Sequence, residues 1–274
     1  MPGYFGRAGK SKARRREKGE RFRALHEGEP FLIPNPWDAG SAKLLEGLGF
    51  EALATSSSAF AFTLGRRDGE TTLQEVVDHA GALDRATELP VSVDLENGYG
   101  PRPEDVAAAI GLAAAAGAVG ASIEDYDPEG HIYELGEAVE RVSAAVEAAR
   151  GLEFPFTFTA RAENHIRGNP DLDDTIARLR AYEAAGADVL YAPGLGDGTE
   201  IRAVCEALER PVNVLANTKL TMAIAVEHGA QRVSVGGSLA WTALRAMSDS
   251  AEAMRDRGDF SSLAGPAFVR ELLG

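Results

Sequence analysis

In the segment VSVDLENGYG, residues 91–100, an apolar run ends on two acids, Asp94 and Glu96, spaced two apart. Side chains alternate faces along a strand, so both acids share one face with Ser92, opposite Val91, Val93 and Leu95. Three other runs end in the same manner. Residues 120–125 (GASIED) place Ser122 and Glu124 on one face. Residues 156–163 (FTFTARAE) place Thr157, Thr159 and Arg161 opposite Phe156 and Phe158, and 212–217 (VNVLAN) set Asn213 and Asn217 apart from Val212 and Val214. Three acids against one guanidinium leave a negative imbalance in a confined space, which a hard divalent cation relieves. The donors are all oxygens, which points to Mg²⁺, with Mn²⁺ as its substitute, rather than zinc or copper. The structural alternative is an internal salt-bridge network around Arg161.

These polar ends converge only if their strands are parallel neighbours. Eight strand-like runs, at 31–34, 52–57, 91–96, 120–125, 156–163, 189–194, 212–217 and 232–237, alternate with segments of helical period. Gly49, Gly117, Gly186 and Gly229 follow helical segments as stops, and Pro103, Glu104 and Asp105 suit a first helical turn. Strict alternation predicts a parallel sheet wrapped by helices, and eight units predict an α/β chain folded as a single (β/α)8 TIM barrel. No G-x-G-x-x-G follows the first strand, so a dinucleotide fold is not supported. The expected division is a basic N-terminal arm over 1–18 and a barrel over 19–274, ending in additional helices after about residue 245. The apolar strand faces should meet the helices and the polar faces line the interior, gathering Asp94, Glu96, Glu124, Arg161 and Asn217 at the carboxyl-terminal rim.

Composition narrows the partners. A net charge of −14 over 274 residues argues against nucleic acid, despite the basic run from Arg7 to Arg23. An anionic substrate would need local cations. The single Cys205 excludes an internal disulfide framework and fits a cytoplasmic setting. The first 25 residues lack the apolar stretch of a signal peptide, and no run is long and apolar enough to suggest a membrane partner.

Taken in order, NPWDAGSAKLLEGLGFEALATSSSAFAF, GRRDGE, DLENGYG, SIED, TARAEN and VNVLANT resemble the isocitrate lyase/phosphoenolpyruvate mutase superfamily from about residue 18 to 250. The resemblance implies a metal site on Asp68, Asp94, Glu96 and Glu124, with Glu96 standing where the family usually has Asp. It implies a substrate-gripping segment at Thr55, Ser56 and Ser57, an active-site arginine at Arg161, and a substrate-facing pair at Asn217 and Thr218. It also implies a homodimer or homotetramer, often with a terminal helix swapped between subunits. In such a site a 2-oxo or 2-hydroxy carboxylate chelates the metal, which stabilises an enolate. Arg161 grips a carboxylate by paired hydrogen bonds, and backbone N–H groups near Ser56 and Ser57 hold another carboxylate arm.

The superfamily's isocitrate and methylisocitrate lyases carry a Lys- and Cys-containing motif soon after the fourth strand. Here that region reads IEDYDPEGHIYELGEAV, with neither residue. Cys205, in EIRAVCEALE, is expected in the core. His131 is the titratable candidate to replace the missing acid, and Glu163 and His165 are placed to orient Arg161 or the gating loop. The reading is a Mg²⁺-dependent carbon–carbon lyase, of decarboxylase or retro-aldol type, acting on a small 2-oxo or 2-hydroxy carboxylic acid. The alternatives are a phosphorus–carbon bond enzyme of the mutase or phosphonopyruvate hydrolase type, and a carboxylate-binding homologue without turnover.

Overall fold

The computed structural model describes residues 4–263. Eight strands run β1 (Phe31–Ile33), β2 (Leu53–Ala54), β3 (Val91–Asp94), β4 (Gly120–Glu124), β5 (Thr157–Arg161), β6 (Val189–Tyr191), β7 (Val212–Leu215) and β8 (Arg232–Ser234). All pair in parallel, in the order β1-β8-β7-β6-β5-β4-β3-β2. Helices alternate with them, and the whole is a (β/α)8 TIM barrel. The seam between β1 and β2 is closed by side chain as well as backbone. Ala54 N–H donates to Pro34 O at 3.1 Å. Asn35 Nδ2 donates to Thr55 O at 2.9 Å, while Asn35 Oδ1 accepts from the N–H groups of Val235 and Gly236.

All eight expected strands form, but most stop two or more residues sooner than the sequence runs suggest. Residues 95–97 and 216–217 leave the sheet, because the chain must turn there toward the next helix. Three polar strand ends remain on the sheet: Asp94, Glu124 and Arg161 are the last residues of β3, β4 and β5. Registration places Glu124 opposite Arg161 and Asp94 opposite Ser122. The principal apolar core lies between strands and helices, around Val91, Val93, Ile110, Ile123, Phe158, Leu190 and Val214. The four helix-stop glycines all adopt φ between 88 and 120°, a region costly for residues with a Cβ.

The N-terminal segment departs from the expected arm. Helix α1 (Tyr4–Glu27) runs through residue 18 without a break. Lys18, 2% exposed, donates to Asp84 Oδ1 at 2.6 Å and to Thr87 O at 2.9 Å. Arg14 Nη1 pairs with Asp84 Oδ2 at 2.9 Å. Phe22 is fully buried in a second apolar cluster with Phe31, Ile33, Ala52 and Val119. Arg14 and Lys18 of the basic run thus dock the helix on the barrel, while Arg16 and Arg23 stay exposed, and a boundary at 18 falls inside that helix. At the other end α10 (Ser238–Arg257) supplies one additional helix; residues 264–274 lie outside the described residues, and so does any further or swapped helix there. No described helix is long and apolar enough to cross a membrane.

Candidate active site

A cavity of about 260 Å³ opens at the carboxyl ends of the strands. Its walls include Thr55, Ser56, Ser57, Asp68, Asp94, Arg161, Glu163, Arg167 and Tyr191. A second cavity of about 340 Å³ adjoins it, sharing Ser57, Asp68 and Arg167 and adding Glu96, Glu124 and Tyr126. The first lies below the usual range for drug-sized ligands, which limits its occupant to a small molecule.

Arg161 is the hub. Its Nη1 lies 3.3 Å from Glu124 Oε2 and 3.7 Å from Asp94 Oδ2, and its Nε donates to Glu163 Oε1. Burial lowers the guanidinium's proton affinity, but Glu124 and Glu163 reverse that effect and hold it well above its ordinary value. Glu163 is fully buried and also accepts from Arg167 Nε at 2.8 Å. Its own backbone N–H donates to Asp125 Oδ1 at 2.7 Å. Asp125 is fixed in turn by Tyr182 at 2.5 Å and Arg178 at 3.1 Å. Glu163 thus orients Arg161, as one sequence reading anticipated. His165 does not, because it turns toward Glu200, 3.6 Å away.

The acids divide between the two cavities. Asp94 is held by Thr55, whose Oγ1 accepts the Asp94 backbone N–H at 2.8 Å, and by the Ser57 N–H, 3.4 Å from Asp94 Oδ2. Glu96 lies past the end of β3 at φ 48° and accepts from Tyr99 Oη at 2.6 Å and Thr71 Oγ1 at 3.0 Å. Burial first, with Asp94 and Asp68 adding to it, pushes the Glu96 carboxyl up to about 6. Burial, reinforced by Glu163 and Asp94 against the pull of Arg161, raises Glu124 well above the carboxylate range. Asp68, on an exposed loop, is raised by desolvation, with Ser57 opposing. Ser56 caps helix α3 (Ser57–Thr63), so its hydroxyl already serves the backbone.

The sequence offers three acids and one guanidinium at strand ends; the two cavities are lined by six acids, Asp68, Glu70, Asp94, Glu96, Glu124 and Glu163, against Arg161, Arg167 and Arg232. Arg167 was missed. It lies 3.7 Å from Glu124 and packs over the Tyr126 ring at 3.9 Å. Its only sequence signal was its position four residues after Glu163. The excess of acids, three of them with upward-shifted pKa values, fits a hard cation, since opposite charge relieves these shifts. Among the described residues no three His, Cys, Asp or Glu side chains are grouped to hold an ion by direct contact alone.

Three expected site residues lie elsewhere. Asn217 and Thr218 are exposed and line neither cavity, because β7 ends at Leu215; the Asn217 side chain instead accepts the Lys219 N–H at 2.9 Å. The strand residue that points inward is Asn213, 1% exposed. His131 is solvent-exposed, 3.8 Å from Asp127, and lines neither cavity. Cys205 sits in helix α8 (Gly198–Glu206), its thiol pushed up to about 12 by burial, away from both cavities.

A parallel barrel with acids and arginines gathered at its carboxyl-terminal rim is an arrangement suited to an enzyme. The chain belongs to the phosphoenolpyruvate phosphomutase family, whose profile matches residues 22–255, and so to the superfamily that joins those mutases with the isocitrate lyases. It is 30% identical to oxaloacetate decarboxylase of Bradyrhizobium diazoefficiens over 265 residues, covering 92% of this chain and 90% of that one. It is 33% identical to 2-methylisocitrate lyase of Halalkalibacterium halodurans over 208 residues, 74% and 68% of the two chains. Among solved structures, a Burkholderia cenocepacia J2315 protein provisionally described as a lyase/mutase is 50% identical, with a TM-score of 0.91 over 95% of this chain and 96% of that one. Oxaloacetate acetylhydrolase in complex with its product oxalate is 25% identical, with a TM-score of 0.85 over 94% of both chains.

Proposed function

We propose that this protein is a Mg²⁺-dependent carbon–carbon lyase acting on a small 2-oxo or 2-hydroxy carboxylic acid by way of an enolate. The observation that carries this reading is the set of crowded, oxygen-only acids around Arg161 in a small cavity. Asp94, with Glu124, Glu96 and Asp68 through water, would hold the ion. When bound, the metal supplies Lewis-acid stabilisation of charge on substrate oxygen. Arg161, aimed by Glu163, donates to the substrate carboxylate and offsets developing negative charge. Ile33, Ala54, Ile166 and Leu215 contribute apolar wall that limits water beside the reacting carbon. No thiol lines the cavity, which favours a reaction whose enolate takes its proton from solvent. Decarboxylation of a 2-oxo diacid and retro-aldol or hydrolytic cleavage both meet that condition. Relatives named as decarboxylase and lyase support the same reading.

The test is turnover of a panel of 2-oxo and 2-hydroxy acids by chelator-treated protein, before and after Mg²⁺ is restored. Activity that returns only with the metal is expected; equal activity without it overturns the proposal. Phosphorus NMR with phosphoenolpyruvate and phosphonopyruvate separates the phosphorus–carbon alternative, which a new phosphorus signal would establish. Ligand binding without product from any acid would instead indicate a carboxylate-binding homologue. The proposal extends to a homodimer or homotetramer, checked by light scattering.

A further inference from the structure

Arg232 opens β8 and lies on the floor of the first cavity, 5% exposed. Its Nε donates to Asn213 Oδ1 at 2.8 Å, its Nη2 to Thr159 Oγ1 at 3.1 Å, and its Nη1 to His26 Nε2 at 3.1 Å. None of these acceptors is an anion. The His26 ring is kept neutral by burial and by Arg232 itself, its pKa pushed down to about 3. Among the described residues no carboxylate pairs with Arg232, and burial pushes its own pKa down to about 10. A guanidinium carries five N–H groups, so one N–H on each terminal nitrogen remains beyond these three bonds.

The other buried arginines face carboxylates or backbone carbonyls. Arg161 faces three carboxylates. Arg141 gives its guanidinium to the carbonyls of Asn97, Gly100 and Pro101. A buried charge without a counter-charge is expensive, and of the two buried arginines with no carboxylate partner, Arg141 and Arg232, only Arg232 lines the first cavity, where a ligand could supply one. Around Arg232 the floor presents Ser92 and Ser234, whereas the acids gather toward the rim. The cavity therefore has a negatively charged mouth suited to a cation and a positively charged floor suited to an anion.

We propose that Arg232 seats a second carboxylate of the substrate on the cavity floor, making it a specificity-determining residue and the substrate a dicarboxylic acid. The inference rests on the lyase reading and narrows it. A guanidinium stabilises a carboxylate's charge, and a carboxylate lost as CO₂ must give that charge up. The floor-side group is thus one that stays charged throughout, which favours retro-aldol or hydrolytic cleavage over loss of the seated carboxylate.

The experiment is calorimetric binding, with Mg²⁺ present, of oxalate, lactate, malate and 2-hydroxyglutarate. Oxalate uses both of its adjacent carboxylates to chelate a metal and leaves no acid for the floor; lactate shares the 2-hydroxy carboxylate of malate but lacks its second acid. Wild-type protein should bind malate or 2-hydroxyglutarate about 30-fold or more tighter than lactate. Arg232→Met should abolish that gap while leaving oxalate affinity within about threefold, and Arg232→Lys should restore part of it. Equal or absent binding of the diacids and lactate by wild type overturns the proposal, and needs no variant to fold. A uniform loss of oxalate and malate affinity in Arg232→Met overturns it as well. Failure of oxalate to bind with Mg²⁺ counts against the metal-site reading instead, because the diacid–lactate gap measures the floor alone.

Discussion

His26 Nε2 stands 3.1 Å from Arg232 Nη1, joining the helix that precedes the barrel to the barrel's last strand. The same ring donates from Nδ1 to Phe22 O at 2.8 Å, which fixes the tautomer. Protonation would remove the only acceptor His26 offers Arg232 and set two cations side by side. With the folded pKa near 3 and the ordinary value 6.5, the unfolded chain binds the extra proton between those limits. Stability is therefore fully present above about pH 6.5 and declines as pH falls, by at most about 1.4 kcal/mol per unit from this group. Thermal unfolding from pH 7 to 4.5 should show that slope, and His26→Gln, still an acceptor but not titratable, should flatten it. His79, which burial pushes down to about 4, gives a slope of the same sign, and a slope unchanged by His26→Gln would assign the acid sensitivity to it.

Glu163 holds two guanidiniums, those of Arg161 and Arg167, from a fully buried position. Glu163→Gln keeps the shape and removes the charge. It should lower kcat about 10–100-fold, the usual effect of losing a group that orients an active-site partner. Circular dichroism should confirm a native fold in the variant.

Gly19 meets the barrel backbone so closely that a Cβ there would sit 2.2 Å from Pro155 O. Gly19→Ala must push α1 off the barrel end, at about 1–3 kcal/mol. A lowered Tm with little change in kcat is the expected result. A neutral outcome would mean that α1 docks more loosely than described.

Cys205 should be chemically silent. With its thiol pushed up to about 12 by burial, little thiolate exists at neutral pH. Iodoacetamide treatment should leave turnover intact, and Cys205→Ser should retain kcat within about twofold. Inactivation by alkylation, protected by substrate, would reinstate a catalytic thiol.

Asn217, expected from the resemblance, and His131, expected from its chemistry, are both tested by the geometry. Both are exposed and outside the cavities. Asn217→Ala and His131→Ala should each change kcat/KM by less than about threefold, as surface substitutions do. A loss of 100-fold or so at either position would show that its loop closes over bound substrate.

The barrel was legible in the sequence because its signals are local: period-two alternation in each strand, helical period between strands, and glycine where a helix must stop. Asp94, Glu124 and Arg161 were legible for the same reason. Each ends a strand on its polar face, so parity alone aims them inward. Glu96 and Asn217 had the same parity, but the chain leaves the strand before reaching them, and parity carries no information once φ changes sign or the sheet ends.

What the sequence determined by itself is the eight-unit alternation and an excess of acids over cations at strand ends. Only the tertiary structure decided which charges meet. Glu163 and Arg167 joined the site through the turn after β5, and Arg232 reached the floor from the opposite end of its strand. His26, 206 residues from Arg232 in the chain, became its acceptor. Electrostatic pairing depends on distance through space, and strand periodicity specifies only the direction in which each side chain leaves the backbone.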